Sequence, residues 1–296
     1  MTTESAPSPE SPPSAAGGID AHHHFWRTPE HHQHWRDTGL PALARDFEPA
    51  DLATELKRTG AAGTILVESL DVPAENRYLL EYAARTPTVV GVVGWLPLQD
   101  PAAALATLDE LTTHPVVRGI RYLVGRDPAD WLVEPRTIDV LRELARRDLA
   151  WDLVPVTPGH VDHVCRIAEA VPDLRIVADH LARPPLDTGG WEPWASGITR
   201  LASHPSIALK LSVGIDVLTR WPGWEAGRLA RYVQWALECF GPRRLMLASN
   251  WPVITLRRTY AETMADLLGA LGDGVAPDDL DEVRAGTARR WYRLPT

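Results

Sequence analysis

Short apolar segments alternate along this chain with longer segments in which apolar residues recur every three or four positions. The short segments predict eight strands, at residues 18–24, 63–69, 89–96, 117–124, 150–154, 174–180, 207–212 and 244–250. The longer ones predict helices at residues 50–59, 74–85, 101–112, 136–147, 159–170, 227–240, 256–271 and 277–291. Strands buried on both faces and alternating with helices predict an α/β fold with a parallel sheet. Eight such units fit a single closed (β/α)8 barrel, the TIM barrel, better than an open sheet.

The barrel is predicted to form one domain over residues 19–296, because no change of composition marks a second one. Residues 1–18 are rich in Ser, Pro and Ala and predict a disordered N-terminal tail. The tail has neither the positive start nor the apolar centre of a secretory signal. No G-x-G-x-x-G turn follows a predicted strand, which argues against dinucleotide binding.

Composition narrows the classes of partner. The net charge is −9 and no Lys/Arg run occurs, which argues against nucleic acid as a partner. No apolar stretch approaches the roughly 20 residues of a membrane helix, so no membrane partner is expected. The chain has 2 cysteines, which suits a reducing compartment. We therefore expect a cytoplasmic protein that acts on a small-molecule substrate, with a homodimer left open.

Polar or aromatic side chains stand at the ends of several predicted strands. In a (β/α)8 barrel the reacting groups collect at the carboxyl ends of the strands, on one face. This placement selects the candidate site residues Glu68, Trp95, Arg121, Asp152, His180, Lys210 and Asn250, together with the histidines that follow Asp20.

The first strand ends in Asp20-Ala-His-His-His. Because side chains alternate along a strand, Asp20, His22 and His24 are expected on the inner face and His23 on the outer one. With His180 across the barrel, His22 and His24 would supply three nitrogen ligands and leave a position open for water, as in catalytic zinc sites. The same three imidazoles could instead polarise a carbonyl without a metal, and the sequence leaves both open.

Aromatic residues and a histidine-rich loop lie near the same strand ends. Trp26, Trp95 and Trp251 are candidates for lining a pocket for a flat or sugar-like ligand. His31, His32 and His34, in the loop after the first strand, are expected to cap the mouth of the barrel rather than to bind metal.

Several stretches, in the right order, resemble the amidohydrolase-related metal-dependent hydrolases, and among them the sugar-lactone and pyrone-dicarboxylate lactonases. They are residues 19–26, 91–96, 117–121, 130–132, 179–185, 210–212 and 244–253. The resemblance implies a lactone-opening hydrolase in which His22, His24 and His180 bind a divalent metal, zinc or manganese, or the substrate carbonyl. It also implies that Arg121 contacts a carboxylate or hydroxyls of the substrate.

One residue departs from the family pattern. Relatives usually end strand eight in Ser-Asp-Trp-Pro, and that aspartate accepts the proton of the attacking water, whereas this chain has Asn250. An amide cannot serve as that base. Glu68 is an alternative base, although it could equally form an ion pair with Arg121 or Lys210.

Two other charged candidates each have two interpretations. Asp152 could bind a substrate hydroxyl or hold a histidine, and Lys210 could neutralise a substrate carboxylate or act as a structural charge partner.

Three functions follow from these candidates. The leading one is hydrolysis of a lactone or a related cyclic ester or amide of a small polar substrate. A non-hydrolytic lyase, decarboxylase or isomerase on the same barrel is the second, because loss of the usual aspartate suits a reaction that excludes water. A degenerate barrel that only binds ligand is the third.

Overall fold

The computed structural model describes residues 17–28, 39–221 and 223–295. Eight parallel strands follow one another around a single sheet in chain order. They are β1 Gly18–His23, β2 Ala61–Val67, β3 Val89–Trp95, β4 Val117–Arg121, β5 Ala150–Leu153, β6 Arg175–Ala178, β7 Ile207–Leu211 and β8 Leu245–Leu247. The predicted (β/α)8 barrel is confirmed. The predicted tail up to residue 16 and the loop with His31, His32 and His34 lie outside the described residues.

Helices connect the strands. They are α1 Pro49–Thr59, α2 Pro73–Arg85, α3 Pro101–Leu111, α4 Pro135–Arg146, α5 Pro158–Ala170, α6 Trp194–Ala202, α7 Ile215–Arg220, α8 Ala226–Phe240, α9 Tyr260–Gly269, α10 Pro277–Asp281 and α11 Thr287–Trp291. Several begin at a proline, which fits the first helical position because its missing N–H is not needed there. Four predicted helices started one residue too late for this reason. Among the described residues, no helix is long and apolar enough to cross a membrane.

Two helices were not predicted, and one predicted helix begins later than expected. The sequence prediction missed α6 and α7, the second of which has only 6 residues. The helix expected over 256–271 begins at Tyr260, because Thr259 and Glu262 form a capping box there. The helix predicted over 277–291 is confirmed in extent, although a π-helical turn, Glu282–Gly286, lies inside it between α10 and α11.

The barrel interior has its own apolar layer, distinct from the larger core between sheet and helices. The C-terminal segment contributes three residues to this layer. Its buried members are Ile19, Ala21, Ile65, Val67, Val93, Ala150, Val177, Ala208, Met246, Ala248, Ala288, Tyr292 and Leu294. Arg175, at the start of β6, donates through Nε to the carbonyl of Trp291 at 2.6 Å, which holds the C-terminal segment against the amino-terminal ends of the strands. The barrel is therefore closed at this end.

A buried aspartate joins the first strand to the last. Asp20 accepts hydrogen bonds from the Ser249 backbone N–H at 2.8 Å and from its hydroxyl at 2.6 Å. The β1–β2 register shifts between Asp20 and His23, which marks a β-bulge. The expectation that Asp20 shares the face of His22 is therefore wrong, because the bulge breaks the alternation and turns Asp20 towards β8.

We expect Asp20→Ala to destabilise the barrel. The substitution leaves the buried N–H groups of Ser249 and His22 and the Ser249 hydroxyl without their acceptor. The Ser249 hydroxyl can still donate to the His22 carbonyl at 3.3 Å, so at about 1–3 kcal/mol for each of the two N–H groups we expect a loss of roughly 2–6 kcal/mol in the free energy of unfolding, measured by urea denaturation. Asp139→Ala, which removes an exposed partner of Arg142, is the control and should cost less than about 0.5 kcal/mol. Equal losses of unfolding free energy in the two variants would contradict a stabilising role for the contact between Asp20 and Ser249.

Candidate active site

The strand ends bring most of the predicted site residues together. His22, Arg121, Asp152 and Lys210 are each at most 4% exposed. Parallel pairing places Arg121 directly beside Asp152 on neighbouring strands. Asp179, which follows β6, contacts three of these side chains, His22, Arg121 and Lys210, and Lys210 in turn pairs with Asp152. The inner ends of β1, β4, β5, β6 and β7 therefore form one buried polar cluster.

Two histidines of the first strand meet at a single point. The Nε2 atoms of His22 and His24 lie 3.2 Å apart. The other nitrogen of His24, Nδ1, is 2.8 Å from the carbonyl oxygen of Val67, so it carries the proton and donates it. This hydrogen bond fixes the His24 tautomer and leaves its Nε2 as a lone pair. His23 lies on the opposite side of the strand, with Nε2 2.9 Å from the Thr64 hydroxyl, as expected.

His180 reaches the same cluster from an unusual backbone turn. Residues 180–183 all have positive φ angles, between 51° and 60°. A left-handed residue other than glycine costs roughly 1–2 kcal/mol, so the turn needs support. Trp194 supplies part of it by donating through Nε1 to the Leu181 carbonyl at 2.7 Å. The His180 ring centroid lies 4.6 Å from that of His22, and its Nδ1 is 2.9 Å from the Ser212 hydroxyl.

A network of charges lies beneath these rings. The Lys210 ammonium contacts Asp152 Oδ2 at 2.5 Å, Asp179 Oδ1 at 3.0 Å and His22 Nδ1 at 3.1 Å. Arg121 Nε lies 2.9 Å from Asp179 Oδ2. Lys210 is fully buried, so its three donors are all directed at protein groups. The structure thus favours the charge-partner interpretation of Lys210, and Asp152 holds Lys210 rather than a histidine.

This electrostatic environment sets the protonation of the candidate ligands. Burial, together with the nearby charge of Lys210, lowers the pKa of His22 well below its ordinary range. Burial and the neighbouring His22 do the same to the pKa of His180. Burial alone would raise the pKa of Asp179, but Lys210 and Arg121 hold it below its ordinary value. At neutral pH the imidazoles are therefore uncharged and Asp179 is ionised.

These groups fit a divalent metal ion. Among the described residues, one group of donor atoms lies close enough to share an ion: His22, Asp179 and His180, within 4.8 Å of one another. Two tetrahedral zinc ligands are separated by about 3.3 Å, which matches the contact between His22 and His24. Neutral imidazoles and an ionised carboxylate are also the protonation states that metal binding requires. This group includes Asp179, which the sequence did not predict, and leaves out His24, which approaches it through the contact with His22 Nε2.

Glu68, the predicted substitute base, lies at the edge of this cluster. Its carboxylate is fully buried, and Oε1 is 3.6 Å from Arg121 Nη1. Neither oxygen has a hydrogen-bond partner among the described residues. Burial, opposed in part by Arg121, raises the pKa of Glu68 well above its ordinary range. The predicted ion pair with Arg121 is thus long, and the carboxyl group is not fixed by a hydrogen bond from the described residues.

Asn250 is fixed by hydrogen bonds from its side-chain amide and from its backbone N–H. Its φ angle is 56°, a left-handed conformation that asparagine tolerates better than most residues. Nδ2 donates to the Val213 carbonyl at 2.8 Å, and the backbone N–H donates to the His22 carbonyl at 2.8 Å. A carboxylate could not make the first of these bonds, since it has no N–H to donate.

The three predicted tryptophans are placed differently. Trp26 stacks beside His24, with centroids 6.5 Å apart, and donates through Nε1 to the Arg45 carbonyl. Trp251 packs against Phe25 and Phe47 in the core. Trp95 lies at the end of β3, where Asn76 binds its backbone. Their contacts are those of packing residues, and a substrate contact remains a prediction for all three.

Sequence reasoning missed two members of the cluster. Asp179 was visible as the partner of His180 in a strand-end Asp-His pair, but only the histidine was selected. Tyr292, whose hydroxyl donates to Asp152 Oδ2 at 2.6 Å, lies after the last helix, and no strand-end pattern marks it.

We expect the purified protein to hold about one zinc ion per chain and His22→Ala/His24→Ala to lose it, because the variant removes two of the imidazole donors. Elemental analysis at matched protein concentration measures this. His23→Gln is a matched control from the same tripeptide and should retain the metal, since His23 faces Thr64. Metal content that is unchanged in the double variant would refute the site.

Comparison with known proteins agrees with this architecture. The profile of the family described as amidohydrolase matches residues 19–294. An L-fucono-1,5-lactonase of Burkholderia ambifaria is 36% identical over 93% of this chain and 95% of its own length. An L-fucono-1,5-lactonase of Burkholderia multivorans is 29% identical over 94% of this chain and 96% of its own length.

A solved structure shows the same relationship. An amidohydrolase from Burkholderia multivorans, with bound zinc, superposes with a TM-score of 0.82 and 27% identity, over 94% of this chain and 100% of that one. The resemblance to the lactonase branch is therefore confirmed, and the chain belongs to the amidohydrolase family.

Proposed function

We propose that this protein hydrolyses the lactone ring of a sugar acid, with its substrate bound at the carboxyl end of the barrel. The observation that carries the proposal is that two imidazoles approach His22: His24 Nε2 lies 3.2 Å from His22 Nε2, and His180 shares with His22 and the ionised Asp179 one group of donor atoms. The names of the lactonase relatives support the same reaction and indicate sugar-acid lactones as the substrate class. Similarity to a zinc-containing structure supports zinc over manganese.

The residues that would hold the metal are His22, His24 and His180, with Asp179 as a further donor. When bound, the ion would polarise the lactone carbonyl and lower the pKa of water in the site. Arg121 is oriented by Asp179 and by the Glu68 carbonyl, which accepts from Nη1 at 3.0 Å. Its guanidinium is therefore held in one orientation, suited to binding a substrate hydroxyl.

Asn250 and Glu68 would together take the role of the strand-eight aspartate of the family pattern: Asn250 orients the attacking water and Glu68 accepts its proton. Asn250 donates to Val213 through Nδ2, so its Oδ1 is the atom left to accept a hydrogen bond from the attacking water. Glu68 Oε1 or Oε2 takes the proton from that water and returns it to the ring oxygen as the C–O bond breaks. A carboxyl group with a raised pKa is suited to both steps near neutral pH.

Two further proposals concern the setting of the enzyme. The cysteines Cys165 and Cys239 are free, which supports a cytoplasmic, reducing compartment. A homodimer and the absence of nucleic-acid binding remain predictions from the sequence.

The reaction is tested by incubating the protein with a panel of sugar-acid lactones, including L-fucono-1,5-lactone, and following acid release with a pH indicator. For a preferred lactone we expect kcat/KM of at least about 10⁴ M⁻¹s⁻¹, the lower end for ordinary enzymes. His22→Ala is the control that corrects for spontaneous hydrolysis. Release of carbon dioxide from aromatic acids without lactone opening would instead establish the decarboxylase alternative.

Glu68→Gln should change the pH dependence of hydrolysis. The base must be deprotonated, so wild-type activity should rise with pH through a pKa above the ordinary value of glutamate, about 4.3. In the variant this rise with pH should be absent, and kcat should be about 10²–10⁴-fold lower than in the wild type. Glu81→Gln, which removes an exposed carboxylate from an ion pair with Arg77, should leave the profile unchanged. A Glu68→Gln profile that keeps the wild-type shape would exclude Glu68 as the base.

A further inference from the structure

A tyrosine from the C-terminal end of the chain lies inside the barrel, beneath the candidate site. Tyr292 directly follows α11 and is fully buried in the interior apolar layer, with Ala21 and Met246 among its members. The hydrogen bond from Arg175 to the Trp291 carbonyl holds the preceding residue at the foot of β6. The hydroxyl group of Tyr292 is thus directed upward from a fixed position.

The hydroxyl is bonded to the charge network. Tyr292 donates to Asp152 Oδ2 at 2.6 Å, and Lys210 Nζ contacts the same oxygen at 2.5 Å. Asp152 Oδ1 has no hydrogen-bond partner among the described residues. One oxygen therefore carries both bonds, and the orientation of the carboxylate depends on the tyrosine. The Lys210 ammonium also lies 5.5 Å from the centroid of the Tyr292 ring, within the range of a cation–π interaction.

Lys210 in turn competes with Asp179 for one nitrogen of His22. An ammonium can only donate, so its contact with Nδ1 at 3.1 Å requires the proton of neutral His22 to be on Nε2. Asp179 Oδ1 lies 3.3 Å from the same Nδ1 and can only accept, so it favours the proton on Nδ1. In the first tautomer His22 Nε2 donates to the lone pair of His24 Nε2 at 3.2 Å, whereas in the second the two Nε2 lone pairs face each other, as shared metal binding requires.

We propose that Tyr292 is a positioning residue that acts through Asp152 to limit how closely the Lys210 ammonium approaches His22 Nδ1, so that Asp179 can hold the Nδ1 proton when a metal takes Nε2. The C-terminal segment thereby prepares the candidate metal ligand from below. The consequence for catalysis rests on the proposed function, whereas the hydrogen-bond relay itself exists without metal or substrate.

The test compares Tyr292→Phe with Tyr232→Phe. Both variants remove the hydroxyl of a fully buried tyrosine, but Tyr232 donates to the Gly190 carbonyl, away from the charge network. The first measurement is the ring ¹⁵N chemical shifts of His22 in the metal-free protein by NMR. The second is zinc affinity by competition with a chromophoric chelator.

For Tyr292→Phe we expect the His22 ring ¹⁵N signals to move and zinc affinity to fall about tenfold, the lower end for partners outside the ligand shell. Tyr232→Phe should change neither, even where it lowers the melting temperature by a similar amount. His22 signals and zinc affinity that stay at wild-type values in Tyr292→Phe would overturn the proposal.

A double-mutant cycle tests whether the hydroxyl acts through Asp152. Asp152→Asn should move the same His22 signals, and adding Tyr292→Phe to it should cause no further loss of zinc affinity. If the fold-losses of zinc affinity in the two single variants multiply in the double variant, the hydroxyl does not act through Asp152 and the relay is overturned. Failure of the wild-type protein to bind zinc would refute the metal part of the proposed function, and the NMR signals of the two variants would still decide the role of Tyr292.

Discussion

The site is organised around one buried ammonium group. Lys210 is fully enclosed by the barrel, and an ion removed from water costs several kcal/mol unless it is paired. Three partners compensate for this cost, each from a different strand end: Asp152, Asp179 and His22. Because all three must reach one atom, they lie at the same height inside the barrel. Arg121 joins the same group through Asp179.

The balance of charge in this cluster bears on Asn250, which follows β8. Two cations, Arg121 and Lys210, face two partnered carboxylates, Asp152 and Asp179. The barrel therefore does not need a carboxylate on β8 to neutralise its interior. Asn250 instead uses its amide to bind the Val213 carbonyl, which stabilises the loop after β7. In the proposed mechanism the base is therefore another carboxyl group, and Glu68 is a buried one whose oxygens have no hydrogen-bond partner among the described residues.

The same barrel interior combines an apolar layer and a polar layer. The apolar layer fills the amino-terminal half, where the C-terminal segment covers it, and excludes water from below. The polar layer lies immediately above, so its ion pairs act in a medium of low dielectric constant and are strong. Tyr292 belongs to both layers, through its ring and its hydroxyl. This contact explains how a segment remote from the mouth can influence a histidine in the site.

Local patterns in the sequence were sufficient for the eight strands, most helices and the strand-end positions of His22, Arg121, Asp152, His180 and Lys210. These features depend on periodicity and on the rule that parallel strands end at one face, so neighbouring residues determine them. The tertiary structure decided the rest. A bulge turned Asp20 to Ser249, 229 residues away, and Tyr292 reached Asp152 across 140 residues. Such contacts depend on register, backbone turns and the path of the C-terminal segment, and no local pattern of side chains encodes them.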